Sequence, residues 1–186
     1  MAAKPARRLF TVAEYYQMGC AGILAGDERV ELIEGDVVEM PSIGVGHASV
    51  VNRISQRFSA AFGESVLMTV QNPLHLNERS EPVPDVMLVR PRPDFYATHH
   101  PEPHDVLLLV EVSDTTLTYD TKVKLPLYAR HGVPEVWIAD ISSVLVRVYS
   151  GPTPTGYRVA EVKRKGERLN PTAFPDHSFL VDDILG

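Results

Sequence analysis

The segment Asp105-Val-Leu-Leu-Leu-Val-Glu-Val112 is a nearly continuous run of valine and leucine. A run of this kind is typical of a strand that is buried on both faces of a sheet, because a half-exposed strand alternates apolar and polar residues. It is also far shorter than the roughly 20 apolar residues that a membrane-spanning helix needs. The segment therefore predicts the central strand of a sheet with other elements packed above and below it.

The segments on either side of this strand predict the rest of a mixed sheet. Residues 47–62 carry apolar side chains at steps of three and four, which is the period of an amphipathic helix. The predicted core elements run in the order helix, strand, strand, strand, helix, strand, at 47–62, 65–71, 83–89, 105–112, 120–131 and 135–140. This order predicts an α/β or α+β fold with an αβββαβ core.

Smaller elements are predicted at both ends of that core. Thr11 and Glu14 have the spacing of a capping box, so a short helix is expected at 11–18. A length of 186 residues fits one domain. We therefore expect a single domain over 1–186, with a helix and a hairpin in 11–40 that turns at Glu34-Gly35-Asp36, the core in 47–140, and C-terminal strands in 144–186.

The composition restricts the class of protein. The single cysteine, Cys20, excludes an intrachain disulfide and a cysteine-built metal site, so a reducing, cytoplasmic setting is expected. No apolar run is long enough to span a membrane, and the basic residues 1–8 lack the apolar segment of a secretory signal. The net charge of −6 argues against a general nucleic-acid coat protein, but it is compatible with carboxylates gathered around a metal.

Two acidic residues occupy positions where an acid is costly. Glu111 lies inside the predicted buried strand, and Asp85 follows Pro84 at the start of the preceding strand. A buried carboxylate is retained where it is paired or bound to a metal. If the two strands are neighbours, both carboxylates can hold one hard cation such as Mg²⁺ or Mn²⁺. The alternatives are a strand-start residue for Asp85 and a structural ion pair with Lys124 for Glu111.

The predicted helix at 120–131 offers two lysines to such a site. Helical spacing places Lys124 beside the apolar side that faces the sheet, and it places Lys122 on the polar side. Lys124 is therefore the candidate that steadies negative charge or orients a water, unless its stem only packs against Tyr128. Asp120 is expected to cap this helix, and Pro126 is expected to kink it.

Many short motifs along the chain, taken in order, resemble the large bacterial family of putative restriction endonucleases, which belongs to the PD-(D/E)xK nuclease superfamily. They are Glu31-Leu-Ile-Glu-Gly35, Met40-Pro41, Gly46-His47, Gln71-Asn-Pro73, Pro84-Asp85, Glu111-Val-Ser-Asp114, Tyr119-Asp120, Lys124, Leu127-Tyr-Ala129 and Gly132-Val-Pro-Glu-Val-Trp137. The resemblance implies a restriction-endonuclease-like fold and a divalent-metal phosphodiesterase site.

The resemblance also implies roles for individual residues. Asp85 matches the motif aspartate, Glu111 matches the acid of the following strand, and Glu31 matches a further acidic position that assists the metal. The lysine that the superfamily places two residues after the acid is Ser113 here, so the resemblance is to a variant in which Lys124 on the helix takes that role.

The expected function is that of an enzyme, a Mg²⁺- or Mn²⁺-dependent endonuclease that hydrolyses phosphodiester bonds in DNA. A homodimer is expected by resemblance, since cutting both strands of a duplex commonly takes two sites. One alternative is a catalytically silent binding or assembly module that keeps the fold, which Ser113 and the acidic charge favour. Another is a hydrolase that acts on small phosphate esters.

Overall fold

A six-stranded mixed sheet lies at the centre of the computed structural model, which describes residues 7–186. Residues 1–6, where no secretory signal is expected, lie outside the described residues. The elements in chain order are α1 Val12–Cys20, β1 Val30–Ile33, β2 Asp36–Glu39, α2 Val45–Phe62, a 3₁₀ turn Gly63–Ser65, β3 Leu67–Val70, β4 Val86–Val89, β5 Val106–Ser113, α3 Leu117–Tyr119, a π-helical turn Asp120–Lys124, α4 Leu125–Arg130, β6 Glu135–Asp140, β7 Leu145–Thr153, β8 Gly156–Arg164, β9 Arg168–Leu169, β10 Phe179–Leu180 and α5 Val181–Leu185.

The strand order in the main sheet is β3-β4-β5-β6-β7-β8, with β5 and β6 parallel and every other pair antiparallel. The predicted order of elements in the core, from α2 to β6, is confirmed. So is the central position of β5, which is buried along nearly its whole length. A parallel pair needs a crossover connection, and the helical segment between β5 and β6 provides it.

Two apolar cores cover the two faces of the sheet. On one face, Phe58 of α2 packs edge-to-face against Trp137 of β6, with ring centroids 6.0 Å apart. On the other face, Leu127 and Tyr128 of α4 belong to the same core as Leu109 of β5. Because side chains alternate along a strand, Glu111 lies on the same face as Leu109, toward α4.

The C-terminal segment differs from the predicted run of strands. After β8 it forms only the two-residue strands β9 and β10 and then the helix α5. Phe179 packs against Phe58 with ring centroids 5.1 Å apart, so this segment covers the α2 side of the core. None of the helices within residues 7–186 is both long enough and apolar enough to cross a membrane.

The hairpin of β1 and β2 is a separate two-stranded sheet that brings Glu31 to the main sheet. Leu32 of this hairpin pairs with Glu81, and Oε2 of Glu31 accepts a hydrogen bond from the backbone N–H of Val83 at 3.0 Å. Its turn lies at Gly35, where the sequence pattern predicts it, and Gly35 has φ +85°. A side chain at Gly35 would approach Cβ of Leu9 to 2.6 Å.

We expect Gly35→Ala to destabilise the protein by about 2 kcal/mol, because alanine is strained at a positive φ and its Cβ would collide with Leu9. The measurement is the free energy of unfolding by chemical denaturation. Gly19→Ala is the matched control, since nothing lies within 4 Å of a Cβ at Gly19 and the residue is in α1. Equal stability of the two variants would contradict the prediction.

The segment between β5 and β6 is less regular than the single helix predicted at 120–131. Helical structure already begins at Leu117, and the π-helical turn Asp120–Lys124 separates α3 from α4. The prediction that Asp120 caps the helix was wrong, because Thr116 precedes the first turn and its carbonyl accepts the Asp120 N–H. Pro126 lies in the first turn of α4, where a missing N–H is tolerated, and the irregularity lies just before it.

Candidate active site

A cleft of about 480 Å³ lies at the end of β5 where the central strand leaves the sheet. All four residues that the sequence nominates for chemistry line it: Glu31, Asp85, Glu111 and Lys124. They come from four separate parts of the chain, namely the hairpin, the residue just before β4, the end of β5 and the π-helical turn. The structure therefore brings the nominated residues together.

Asp85 and Glu111 are side by side because their strands are antiparallel neighbours. Val86 is paired with Val110, so the residue before Val86 and the residue after Val110 are adjacent in register. The backbone N–H of Val112 donates to Oδ2 of Asp85 at 2.8 Å, which ties the two strand ends together. Both carboxylates consequently face the same cleft.

The Asp85 carboxylate is held in a fixed orientation by three donors. Oδ1 lies 3.0 Å from Nε2 of His47 and accepts a hydrogen bond from Nε2 of Gln71 at 3.3 Å, while Oδ2 accepts the Val112 N–H. Burial acts to raise the pKa of Asp85, but His47 and the Val112 N–H outweigh it and leave this pKa lowered. The hydrogen bond to Asp85 in turn raises the pKa of His47. Asp85 is therefore ionised at neutral pH.

Lys124 joins the two glutamates in the buried part of the cleft. Its Nζ lies 2.8 Å from Oε1 of Glu111 and 3.3 Å from Oε2 of Glu31, and all three side chains are almost fully buried. The hydroxyl of Tyr128 donates to the same Oε1 of Glu111 at 2.6 Å. Among the described residues these contacts engage one oxygen of Glu111, so Oε2 is the oxygen that is available to a cation.

Burial dominates the ionisation of this group. It raises the pKa of Glu111 to about 8, although the nearby Lys124 ammonium acts in the opposite direction. Burial acts to lower the pKa of Lys124, but the charges of Glu111, Glu31 and Asp120 together outweigh it and leave that pKa raised. Lys124 therefore remains charged, while Glu111 takes up a proton more readily than an ordinary carboxyl.

Ser113 and Asp120 have a supporting role next to this group. The hydroxyls of Ser113 and Thr116 donate to Oδ2 of Asp120 at 2.7 and 2.6 Å. Ser113 thus anchors the π-helical turn that carries Lys124. In that turn Lys124 is buried and Lys122 is exposed, as the helical pattern predicts.

The donor atoms of the cleft fit a hard cation. Asp85 and Glu111 offer carboxylate oxygens from adjoining strands, and Mg²⁺ commonly binds one or two carboxylates while it keeps several waters. Within residues 7–186 no group of three or more His, Cys, Asp or Glu side chains is arranged to hold a metal ion by itself. Glu31 contacts Lys124 and Val83 in this structure, and its part in metal binding stays a prediction.

Several cleft residues were not nominated from the sequence. Gln71 reaches Asp85 because its backbone has φ +52°, and nothing in the sequence indicates that conformation. Nδ1 of His47 is buried and has no hydrogen-bond partner among the described residues, whereas the buried Tyr119 hydroxyl lies near the Glu31 carboxylate. Burial and the charge of Glu31 raise the pKa of Tyr119. The position of His47 in the first turn of a predicted helix was the one available signal, and it did not distinguish a site residue from a structural one.

Comparisons with known proteins place the chain in a family. Residues 12–182 match the Uma2 family, described as "Putative restriction endonuclease". The chain is also similar to the crystal structure of a putative nuclease of the DUF820 family from Anabaena variabilis, with a TM-score of 0.74 and 15% sequence identity over 95% of this chain and 97% of that one. No curated protein matches the chain.

The similarity to the Anabaena variabilis protein shows a shared fold, and the matched family covers almost all the elements described above. Family and fold together support a nuclease function. The predicted resemblance to the restriction-endonuclease-like proteins is confirmed, and the chain belongs to the Uma2 family of putative restriction endonucleases.

Proposed function

We propose that this protein is a divalent-metal-dependent endonuclease that hydrolyses phosphodiester bonds in DNA, with Mg²⁺ or Mn²⁺ as its ion. One observation carries the proposal: the carboxylates of Asp85 and Glu111, from adjoining strand ends, line the same cleft as the buried ammonium group of Lys124. Two carboxylates and a cation in one cleft match the needs of phosphodiester hydrolysis, where negative charge on a phosphoryl group must be neutralised.

Asp85 and Glu111 would hold the metal ion, and the ion would supply a more acidic bound water and a positive charge against the phosphate. His47 and Gln71 orient the Asp85 carboxylate, so its geometry is set before a substrate arrives. Glu31 and Glu111 keep Lys124 at one position, from which its ammonium group can steady charge that develops on the phosphate.

The amino end of α2 adds a second favourable feature for a phosphate. Gly44, which precedes this 18-residue helix, provides no side-chain cap, and both Gly44 and His47 line the cleft. The uncapped N–H groups and the helix dipole favour an anion at this end. The amino end of α2, His47 and Lys124 thus place positive groups beside the carboxylates on which a cation would bind.

Metal binding is expected to strengthen as the pH rises toward 8. Burial raises the pKa of Glu111 to about 8, so at pH 6.5 this carboxyl is mostly protonated and a cation must displace the proton. Calorimetric titration with Mg²⁺ at several pH values should show an apparent affinity that increases up to about pH 8 and then levels off. Titrations in buffers of different ionisation enthalpy should show proton release at pH 6.5. In Glu111→Gln the proton release should decrease to the part that comes from His47, whose pKa the contact with Asp85 raises. A pH-independent affinity in the parent protein would contradict the prediction.

The proposed activity is tested by a cleavage assay on plasmid, linear and single-stranded DNA with Mg²⁺, Mn²⁺, Ca²⁺ and no added ion. Cleavage that requires Mg²⁺ or Mn²⁺ supports the proposal. Binding of DNA without cleavage under any ion would favour the silent module. Turnover of a small phosphodiester without cleavage of any DNA would favour a small-ester hydrolase.

We also propose a homodimer, because a double-strand break takes two sites. This proposal rests on the family resemblance. Analytical ultracentrifugation across a range of protein concentrations tests it, and a monomer with nicking activity only would contradict it.

A further inference from the structure

The cleft is lined by two unlike sets of residues, and the proposed phosphodiester chemistry uses only one of them. One set is the carboxylates and Lys124. The other set adjoins Glu31 and comes from the end of β2, the loop that follows it, and the segment before Asp85, and its apolar members are Val38, Met40, Pro41, Ile43 and Val83. We refer to these five residues as the apolar wall.

The size of the cleft exceeds what a hydrated ion and one phosphate group need. Its volume of about 480 Å³ falls within the roughly 300–1,000 Å³ of typical small-molecule sites. The apolar wall is also preformed, because Nη1 of Arg29 donates to the carbonyl oxygen of Pro41 at 2.6 Å and the Met40 N–H donates to Arg29 at 2.8 Å. A flat, largely uncharged group next to the phosphate would fill this space.

Two polar atoms of this cleft have hydrogen-bonding capacity left for a ligand. Nδ1 of His47 is buried and has no hydrogen-bond partner within residues 7–186, and the buried Tyr119 hydroxyl lies near the Glu31 carboxylate, to which it can donate while its oxygen accepts from a ligand. Buried polar groups are nearly always bonded to protein or to ordered water, so a ligand that displaces water from these two atoms must offer polar groups in its place. A nucleobase has both the apolar faces that suit the wall and the polar edges that suit such groups.

The charges in the cleft disfavour an intact duplex as the ligand. Six carboxylates line it, whereas Arg29 and Lys124 are its only lysine or arginine residues in the described part of the chain. Duplex-binding surfaces present lysines and arginines to many phosphates at once. In addition, a base that is stacked and paired inside a duplex cannot reach a wall beside its own phosphate unless it leaves the stack.

We propose that the apolar wall, together with Tyr119, forms a subsite for one unpaired nucleobase adjacent to the scissile phosphate, so that the preferred substrate is a nucleic acid with an unpaired nucleotide at the cut. This inference rests on the proposed nuclease function and narrows its substrate class. Contacts of bases with apolar and aromatic side chains tolerate all sequences, so the subsite selects unpaired structure rather than a recognition sequence.

Binding of a mononucleotide tests the subsite without any need for cleavage. Thymidine 5′-monophosphate should bind at least tenfold more tightly than 2-deoxyribose 5-phosphate in calorimetry with Mg²⁺ present. Ile43→Asp should remove this difference, because it places a charge in the apolar wall at an exposed position where folding is not at risk. Val159→Asp is the matched control, since Val159 is 41% exposed on the edge strand β8 and Ile43 is 44% exposed.

Tyr119→Phe removes only the hydroxyl, which lies near Glu31, and should weaken nucleotide binding several-fold. Equal affinity for the nucleotide and the sugar phosphate in the parent protein, or no measurable binding of either, would overturn the subsite. The binding measurement tests the subsite whether or not the protein proves to be a nuclease.

Cleavage supplies the second arm of the test. One labelled strand is compared alone, in a fully paired duplex, and in a duplex that carries a short bulge of unpaired nucleotides. The expected kcat/KM is at least tenfold higher for the single strand and for the bulge than for the paired duplex, and Ile43→Asp should remove this preference. Equal cleavage of all three substrates would overturn the subsite and leave the nuclease proposal standing, whereas loss of cleavage on all three would count against the nuclease proposal alone.

Discussion

Asp85→Asn is expected to reduce DNA cleavage by about a thousandfold or more while the protein stays folded. Asparagine keeps the shape of the side chain, and its amide oxygen can still accept the Val112 N–H, so the strand ends remain joined. It lacks the negative charge that a metal ion requires from this position. Stabilisation by a metal in phosphoryl transfer is worth several kcal/mol, and about 4 kcal/mol corresponds to a thousandfold in rate. The measurement is the single-turnover cleavage rate at saturating Mg²⁺.

Asp176→Asn is the matched control, because Asp176 is exposed and does not line the cleft. It should cleave at the parent rate, and Glu111→Gln should behave like Asp85→Asn. Melting temperatures of all variants show whether the fold is retained. A variant at Asp85 that cleaves at the parent rate would contradict the assignment of this carboxylate to the metal, whatever its stability.

The core of the fold could be predicted because its signals lie within single segments. The valine and leucine run of β5 indicates a doubly buried strand wherever its partners lie, and α2 carries its apolar period within its own 18 residues. The C-terminal segment could not be predicted in the same way. Its strands β9 and β10 have two residues each, and they are stabilised by packing of Phe179 against a helix that is more than a hundred residues earlier in the chain.

The candidate site also contains residues that local sequence patterns predict and residues that they do not. The direction of the Lys124 side chain toward the sheet follows from the helical period, and the cost of burying Glu111 follows from the apolar run around it. The contact of Gln71 with Asp85 depends on a positive φ, and a π-helical turn interrupts the helix that carries Lys124; neither irregularity leaves a pattern in the sequence. Such irregular conformations often occur at functional sites, because the surrounding structure must hold them against a local cost in energy.

Lys124→Met is expected to abolish cleavage and also to destabilise the protein, and the two effects can be separated. Removal of the ammonium group leaves Glu111 and Glu31 without their shared cation, and breaking a buried ion pair costs about 3–5 kcal/mol. Glu111 can escape part of this cost by taking up a proton, since burial already raises its pKa to about 8. The free energy of unfolding should therefore fall further below that of the parent at pH 9 than at pH 6.

The sign of this pH dependence follows from proton binding. Below its raised pKa the folded state holds a proton on Glu111 that the unfolded state, with an ordinary carboxyl pKa, has lost, so stability decreases as the pH rises through this interval. Without Lys124 the pKa of Glu111 rises further, so the stability of the variant continues to decrease above pH 8. In that range the ionisation of Glu111 no longer changes the stability of the parent protein. The slope is limited to about 1.4 kcal/mol per pH unit for one proton.

The double variant Lys124→Met/Glu111→Gln measures the structural part of the role of Lys124, and the single variant Lys124→Met measures the catalytic part. Glutamine cannot ionise, so the double variant should recover most of the lost stability and lose the dependence between pH 6 and 9, while Glu31 still accepts the Val83 N–H. If Lys124 acts on the phosphate, Lys124→Met stays inactive at pH 8 and saturating Mg²⁺, where a bound cation displaces the proton that Glu111 holds at lower pH. Lys122→Met is the matched control, because Lys122 is exposed in the same π-helical turn, and it should match the parent in both measurements. Cleavage by Lys124→Met at the parent rate would reduce Lys124 to a structural partner of the two glutamates.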